Sequence, residues 1–349
     1  MSSSYWVSPS EANLLITGRC NLNCRHCSVN SYGRLDTDLP LSAWIKILDE
    51  LSRSKLIKLT ITGGEPTYRP DFTEFLAEVY SRPFRFSLNT NGTMITSQVL
   101  KALKLYSSRL DDIMISLDGP DRKTVDSQRG QGVFDKMILG IERLHEAGLP
   151  FGFYCTVTAL NVNRLGETAE LAMSLGARWI KFNNFLMAGP ILENSMIPDI
   201  AQVISAAEEL SAVSGKYPGK ILGTILEMRE RIQKLMHSVL PEVSNAAYSC
   251  GGGVGKIAVF PDGRVTPCDH LPEVTLGNIT EQSLENILKG KEMKKFSDYL
   301  NQPRTVFSDC ANCKYLSYCT GGCPVESLNS NEEVGYDRHS CLKIYMGEK

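Results

Sequence analysis

Ten of the eleven cysteines in this 349-residue chain fall into two groups, and that distribution constrains the fold more than any other feature. Cys20, Cys24 and Cys27 lie within eight residues. Cys250, Cys268, Cys310, Cys313, Cys319, Cys323 and Cys341 occupy the C-terminal part, and Cys155 stands apart. Met1–Trp6 shows no basic stretch leading into an apolar run, so no secretion signal is visible and the expected location is the cytoplasm. Thiols stay reduced there, which disfavours disulfides and favours metal ligation. No apolar stretch is long enough to span a bilayer. A net charge of −2 gives no basic surface for nucleic acid. The composition, 42% hydrophobic and 22% charged, is that of a globular protein with a sizeable core.

Between the two groups the chain alternates strand-like and helix-like segments. Strands are expected at Asn13–Thr17, Leu56–Thr62, Phe84–Thr90, Asp112–Leu117, Phe151–Val157 and Arg178–Asn183. Helical stripes lie between them: Leu41, Ile45, Leu48 and Leu51 behind a Ser42 cap, then Phe134, Ile138, Ile141 and Leu144, then Leu165, Ala169, Ala172 and Leu175. Such alternation builds parallel βαβ units. Six of them predict an α/β fold, an incomplete (β/α)6 TIM-like barrel over residues 10–215. A helical linker is expected over 216–249. A small cysteine-rich domain is expected over 250–349, with a hairpin at Lys256–Phe260 and Arg264–Cys268 around Pro261-Asp262-Gly263. That last region has too little apolar sequence for its own core, so metal clusters would staple it.

The loop Cys20-Asn-Leu-Asn-Cys24-Arg-His-Cys27 directly follows the first strand, at the strand end where α/β barrels place their chemistry. Three thiolates can hold three irons of a cubane and leave the fourth open to a chelating ligand. A tetrahedral zinc site is the alternative, with His26 as fourth ligand. Further motifs close the next strands: Thr62-Gly63-Gly64-Glu65-Pro66, Leu88-Asn89-Thr90-Asn91-Gly92 and Ser116-Leu117-Asp118-Gly119. Paired glycines let a backbone approach a ligand closely. In the C-terminal group, seven thiolates exceed what one zinc or one cubane uses. A zinc ribbon on Cys310, Cys313, Cys319 and Cys323 is the competing reading. Cys155 falls in a predicted strand and reads as a small core residue.

The C-x3-C-x2-C loop and the strand-end motifs resemble the radical S-adenosylmethionine (SAM) superfamily, and the seven-cysteine series resembles its SPASM extension. The resemblance implies a SAM-binding [4Fe–4S] cluster on Cys20, Cys24 and Cys27. It implies contacts to SAM from His26, Gly63, Gly64, Glu65, Asn89, Ser116 and Arg129, with Glu65 meeting the SAM amino group and His26 near the adenine. It also implies two auxiliary clusters, the first on Cys250, Cys268 and Cys323, the second on Cys310, Cys313, Cys319 and Cys341, three [4Fe–4S] clusters in all. An eighth cysteine found in fully ligated relatives is absent, which leaves the first auxiliary cluster with an open iron or a non-cysteine ligand. By resemblance Asp269, after Cys268, is a candidate catalytic base; the alternative is a carboxylate serving loop backbone. His270 is expected to face solvent. His339 could support a cluster sulfur near Cys341.

The expected function is reductive cleavage of SAM to a 5′-deoxyadenosyl radical that takes a hydrogen atom from a substrate. A peptide side chain in ribosomal natural-product maturation is the leading substrate. Alternatives are a small molecule or tetrapyrrole, sulfatase maturation, and a non-catalytic iron–sulfur electron carrier. Expected partners are the peptide or protein substrate, a separate leader-peptide-binding protein, since Cys20 leaves no room for such a domain before the barrel, and a flavodoxin or ferredoxin as electron donor.

Overall fold

A computed structural model describes residues 9–27, 38–184, 194–243, 250–329 and 340–347. Six strands and their helices alternate as the sequence implies. They are β1 (Glu11–Leu15), α1 (Leu41–Arg53), β2 (Lys58–Thr62), α2 (Phe72–Tyr80), β3 (Arg85–Thr90), α3 (Ser97–Leu105), β4 (Leu110–Ser116), α4 (Arg122–Arg129), α5 (Val133–Glu146), β5 (Phe151–Val157), α6 (Leu165–Ser174) and β6 (Ile180–Asn184). Neighbouring strands pair in parallel throughout, from Glu11 opposite Lys58 to Val157 opposite Asn184. Alternate strand residues face outward. Ala12, Leu14, Leu59, Ile61, Phe86, Leu88, Ile113, Ile115, Phe151 and Phe153 join one core with Trp44, Leu48, Leu51 and Phe75 of the helices. The opposite face is largely polar, with Thr60, Ser87, Asn89, Ser116, Tyr154 and Thr156 turned to the barrel interior. The start of α1 differs from the expectation. Pro40 takes the N-cap position without a side-chain hydrogen bond, and Ser42 lies inside the first turn.

After α7 (Ile200–Lys216), residues 216–249 hold a helix, α8 (Thr224–Met236), and also a short strand, β7 (Ile221–Gly223), which extends the sheet beside β6. The C-terminal hairpin, β8 (Lys256–Val259) and β9 (Arg264–Thr266), joins the same sheet. β8 lies parallel to β1, with Glu11 opposite Lys256, and β10 (Gly277–Asn278) completes an order β10-β9-β8-β1-β2-β3-β4-β5-β6-β7. The barrel is therefore lengthened on both sides of the six-strand unit. Leu15, Ala258 and Phe260 form a small separate apolar cluster. Short helices carry the rest: α9 (Leu284–Leu288), α10 (Lys291–Leu300), α11 (Ser308–Ala311), α12 (Pro324–Asn329) and α13 (Leu342–Tyr345). Arg231 of α8 ties this region to the barrel side through the carbonyl of Tyr318 (2.8 Å) and the hydroxyl of Thr320 (3.1 Å). No helix among the described residues is long and apolar enough to cross a membrane.

Candidate active site and metal centres

The loop of Cys20, Cys24 and Cys27 leaves the C-terminal end of β1 and is held from several sides. Gly18 N–H donates to Asp38 Oδ1 (2.8 Å), and the Arg69 guanidinium donates to the carbonyl of Ile16 (2.7 Å). The end of β2 lies directly against the loop: Gly64 N–H donates to the carbonyl of Thr17 (2.8 Å) and Glu65 N–H to that of Arg19 (2.9 Å). A Cβ on Gly63, whose φ is +143°, would sit 2.5 Å from the Thr17 carbonyl oxygen, and one on Gly64 would overlap the Arg19 carbonyl. Both glycines are thus explained by the close approach of two strand ends, a partner within the protein that the motif alone does not reveal.

Glu65 is buried. Its Oε1 accepts from Thr67 N–H (3.1 Å) and from the hydroxyls of Thr67 and Thr90 (2.8 Å for Thr90), and its Oε2 accepts from Asn91 N–H (2.7 Å). Burial pushes its carboxyl up, against these donors. Asn91 in turn donates to Asn21 Oδ1 within the cysteine loop (2.9 Å), and Asn21 donates to the Thr93 hydroxyl (2.9 Å).

Asp118, just beyond the end of β4, is fully buried. Its Oδ2 accepts from Arg129 Nε (2.5 Å) and lies 3.0 Å from His26 Nε2; its Oδ1 accepts from Thr156 N–H (2.9 Å). Burial alone would raise this carboxyl, but the Arg129 guanidinium and His26 outweigh it and hold Asp118 well below the usual carboxylate range. Arg129 Nη1 reaches to 3.8 Å from Cys24 Sγ. Gln128 fixes the arrangement: its side chain donates to the Asp118 carbonyl (2.9 Å) and accepts from the Thr158 hydroxyl (2.7 Å), while its own carbonyl accepts from Arg25 N–H in the loop (2.9 Å). Asp121 caps α4 through Thr124 N–H (2.8 Å) and so aims Gln128 and Arg129 at the loop. Asp118 and Gln128 were not singled out from the sequence, although Asp118 stood within a quoted motif.

The structure gathers His26, Glu65, Asn89, Ser116 and Arg129 at the same barrel end as the three cysteines. His26 Nδ1 and Asn89 Oδ1 are buried with no hydrogen-bond partner among the described residues, as a site awaiting a polar ligand requires. Burial pushes the Cys20 thiol up to about 12 and raises that of Cys24, so metal binding must displace their protons. Among the described residues no three His, Cys, Asp or Glu groups close on one ion. Three thiolates on a short loop suit an iron–sulfur cubane with one open iron.

In the C-terminal region Cys310, Cys313, Cys319 and Cys341 line one cavity of about 260 Å³, together with Tyr315, Leu316 and Leu342. Burial pushes the Cys310 thiol up to about 11, opposed by the nearby Arg304 cation. Arg304 is 1% exposed, donates to the carbonyl of Gly321 (2.6 Å) and lies over the Phe307 ring. Cys323 is absent from this cavity's lining. Cys250, Cys268 and Cys323 instead share a neighbour in Lys256: burial depresses its ammonium, and the three thiols with Asp269 more than reverse that. Asp269 accepts from the Cys268 thiol (3.3 Å). Burial would raise its carboxyl, but His270 and Lys256 bring it below the ordinary value. Tyr154, on the interior face of β5, feels the charges of both Lys256 and Asp269. His270 departs from the solvent-facing expectation: it is partly buried, and its Nδ1 is enclosed without a partner among the described residues. Cys155 packs in the outer core against Asn161 (3.7 Å) and joins neither group. His339 lies outside the described residues.

Comparison with known proteins agrees with this geometry. The family model of the radical SAM superfamily matches residues 14–172, and that of an iron–sulfur cluster-binding domain, SPASM, matches 250–314. An AdoMet-dependent heme synthase of Methanosarcina barkeri is 30% identical over 329 residues, covering 88% of each chain. The antilisterial bacteriocin subtilosin biosynthesis protein AlbA of Bacillus subtilis is 29% identical, over 93% of this chain and 69% of that protein. The fold matches Streptococcus suis SuiB, solved with its precursor peptide SuiA, with a TM-score of 0.73 at 18% identity, over 95% of this chain and 76% of the other. Both halves of the molecule, the barrel-end cysteine loop and the C-terminal cysteine region, thus point one way: the chain is an enzyme of the radical SAM superfamily that carries a SPASM iron–sulfur cluster-binding domain.

Proposed function

We propose that this enzyme abstracts a hydrogen atom from a peptide side chain and oxidises or cross-links it during maturation of a ribosomally made product. Its family implies SAM and iron–sulfur clusters. The proposed complement is three [4Fe–4S] clusters, on Cys20, Cys24 and Cys27, on Cys250, Cys268 and Cys323, and on Cys310, Cys313, Cys319 and Cys341. When bound, the first cluster and SAM supply a 5′-deoxyadenosyl radical. The protein's own residues supply the rest. Arg129, held by Asp118, sets a cation beside Cys24. Glu65 Oε2, Asn89 Oδ1 and His26 Nδ1 offer hydrogen-bonding atoms to SAM, with Ser116 at the end of β4. Asp269, beside the Lys256 ammonium, accepts at its carboxylate the proton that substrate oxidation releases.

The observation that carries this reading is the assembly of loop 20–27, Glu65 and the Asp118–Arg129 pair at one barrel end, with the C-terminal cysteine region joined to the same sheet through β8 and β9. A peptide substrate is supported by the AlbA relative and by the SuiB fold. A tetrapyrrole is the second reading, favoured by the heme synthase match over 88% of both chains.

Reconstituted enzyme is offered a candidate precursor peptide and, separately, a tetrapyrrole, each deuterated, and 5′-deoxyadenosine is collected. Deuterium arriving from the peptide supports the first reading, and deuterium arriving from the tetrapyrrole replaces it with the second. Replacing Cys20, Cys24 and Cys27 with Ala should end SAM cleavage; cleavage persisting in that variant refutes the first-cluster assignment. In Asp269→Asn, product should fall ~10²–10⁴-fold while SAM cleavage continues. An unchanged ratio of 5′-deoxyadenosine to product rejects the base role.

A further inference from the structure

Four of the seven C-terminal cysteines line one cavity, which leaves Cys250, Cys268 and Cys323 for a second centre around Lys256. A cubane has four irons, and three thiolates leave one without a protein ligand. Cys155 cannot fill the place. It is fully buried on the outer side of β5, with its sulfur against Asn161.

The turn after β9 supplies a nitrogen instead. Leu271 N–H donates to the carbonyl of Cys268 (3.1 Å), so the chain folds back over that residue, and His270 N–H lies 3.5 Å from Cys268 Sγ. The His270 backbone is therefore set beside the ligand sulfur. Its Nδ1 is buried with no hydrogen-bond partner among the described residues. A buried imidazole nitrogen without a partner is uncommon and calls for one, such as a metal ion, beyond the described residues. Asp269, nearer in sequence, is the competing ligand, and the Asp269→Asn variant separates the two.

We infer that His270, through Nδ1, is the fourth ligand of the first auxiliary cluster. The inference rests on the reading that Cys250, Cys268 and Cys323 hold an iron–sulfur cluster. The chemistry is the donation of a neutral nitrogen lone pair to iron, with no change of oxidation state. Replacing a thiolate by a neutral imidazole makes a cluster less negative and easier to reduce. Such a cluster is a better acceptor for the electron left on an oxidised substrate, and it has no open iron for substrate to occupy.

The test uses full-length, fully reconstituted enzyme carrying 15N-labelled histidine, examined by pulsed electron paramagnetic resonance in the reduced state. A histidine-nitrogen coupling on an auxiliary cluster is expected, and it should vanish in His270→Ala. His270→Cys should hold as much iron as wild type, lose the nitrogen coupling and shift the cluster to a lower reduction potential; Asp269→Asn should keep the coupling. Auxiliary-cluster signals without histidine coupling in wild type, or coupling that survives His270→Ala, overturn the inference while the cluster reading stands. An iron content unchanged in Cys250→Ala and Cys268→Ala removes the cluster reading itself, and the inference with it.

Discussion

The two cysteine regions are built in opposite ways. The loop of Cys20, Cys24 and Cys27 is suspended in a buried polar scaffold of the protein's own groups: Asp118 meets three donors, Glu65 four, and Asn91, Gln128 and Asp38 each fix a different stretch of the loop. The second region hangs four cysteines around a cavity on helices of four residues and single turns. A site framed by strand ends is shaped before its cofactor arrives, whereas a site framed by short turns owes its order to what it binds.

The largest effect should follow removal of iron. Structural metal binding contributes on the order of 10 kcal/mol, so chelation should strip hydrogen-exchange protection from residues 304–329 and 340–347 and leave the barrel helices α1–α6 protected. Equal loss around loop 20–27 breaks the contrast. The next effect belongs to Asp118→Asn, which leaves the buried Arg129 cation without its carboxylate. Breaking such a pair costs about 3–5 kcal/mol, read as a lower denaturation midpoint; a midpoint close to wild type means the scaffold is not held by this pair. In the other region Arg304→Gln removes a charged donor to Gly321 and should cost about 1.5–3 kcal/mol. Gly321 lies between Cys319 and Cys323, so iron at both proposed auxiliary sites should fall together; loss at one site alone separates them. The smallest effect is Cys155→Ala, about 1 kcal/mol of lost burial, with iron content unchanged. Any loss of iron there gives Cys155 a role outside the core.

Much of the barrel was legible because β1–β6 carry alternating or clustered apolar residues between helical stripes, and β2, β3 and β4 end in short motifs of glycines and polar residues. The hairpin at Lys256 and Arg264 was equally plain from Pro261-Asp262-Gly263. Its destination was not: the pairing of β8 with β1 joins segments far apart in sequence and leaves no local pattern. β7, three residues long, falls below what periodicity resolves. Among site residues, the cysteines were visible from spacing. Asp118 was hidden because a carboxylate after a strand reads as a turn residue until Arg129 and His26 are seen to converge on it. The glycines of the Gly63-Gly64 pair were visible, yet the carbonyls they make room for could be known only in three dimensions.

The parallel pairing of β1 with β8 also sets a timetable. Glu11 must wait for Lys256, and Ser10 meets Gly255 across 245 residues of chain. At synthesis rates of about 5–20 residues per second, one edge of β1 stays without its partner for roughly 10–50 s after the strand is made. Pairing over such a span is slow to form, and an unpaired edge invites pairing with another chain. Nascent chains halted before residue 256 should therefore aggregate or engage chaperones, whereas chains halted after the hairpin should not.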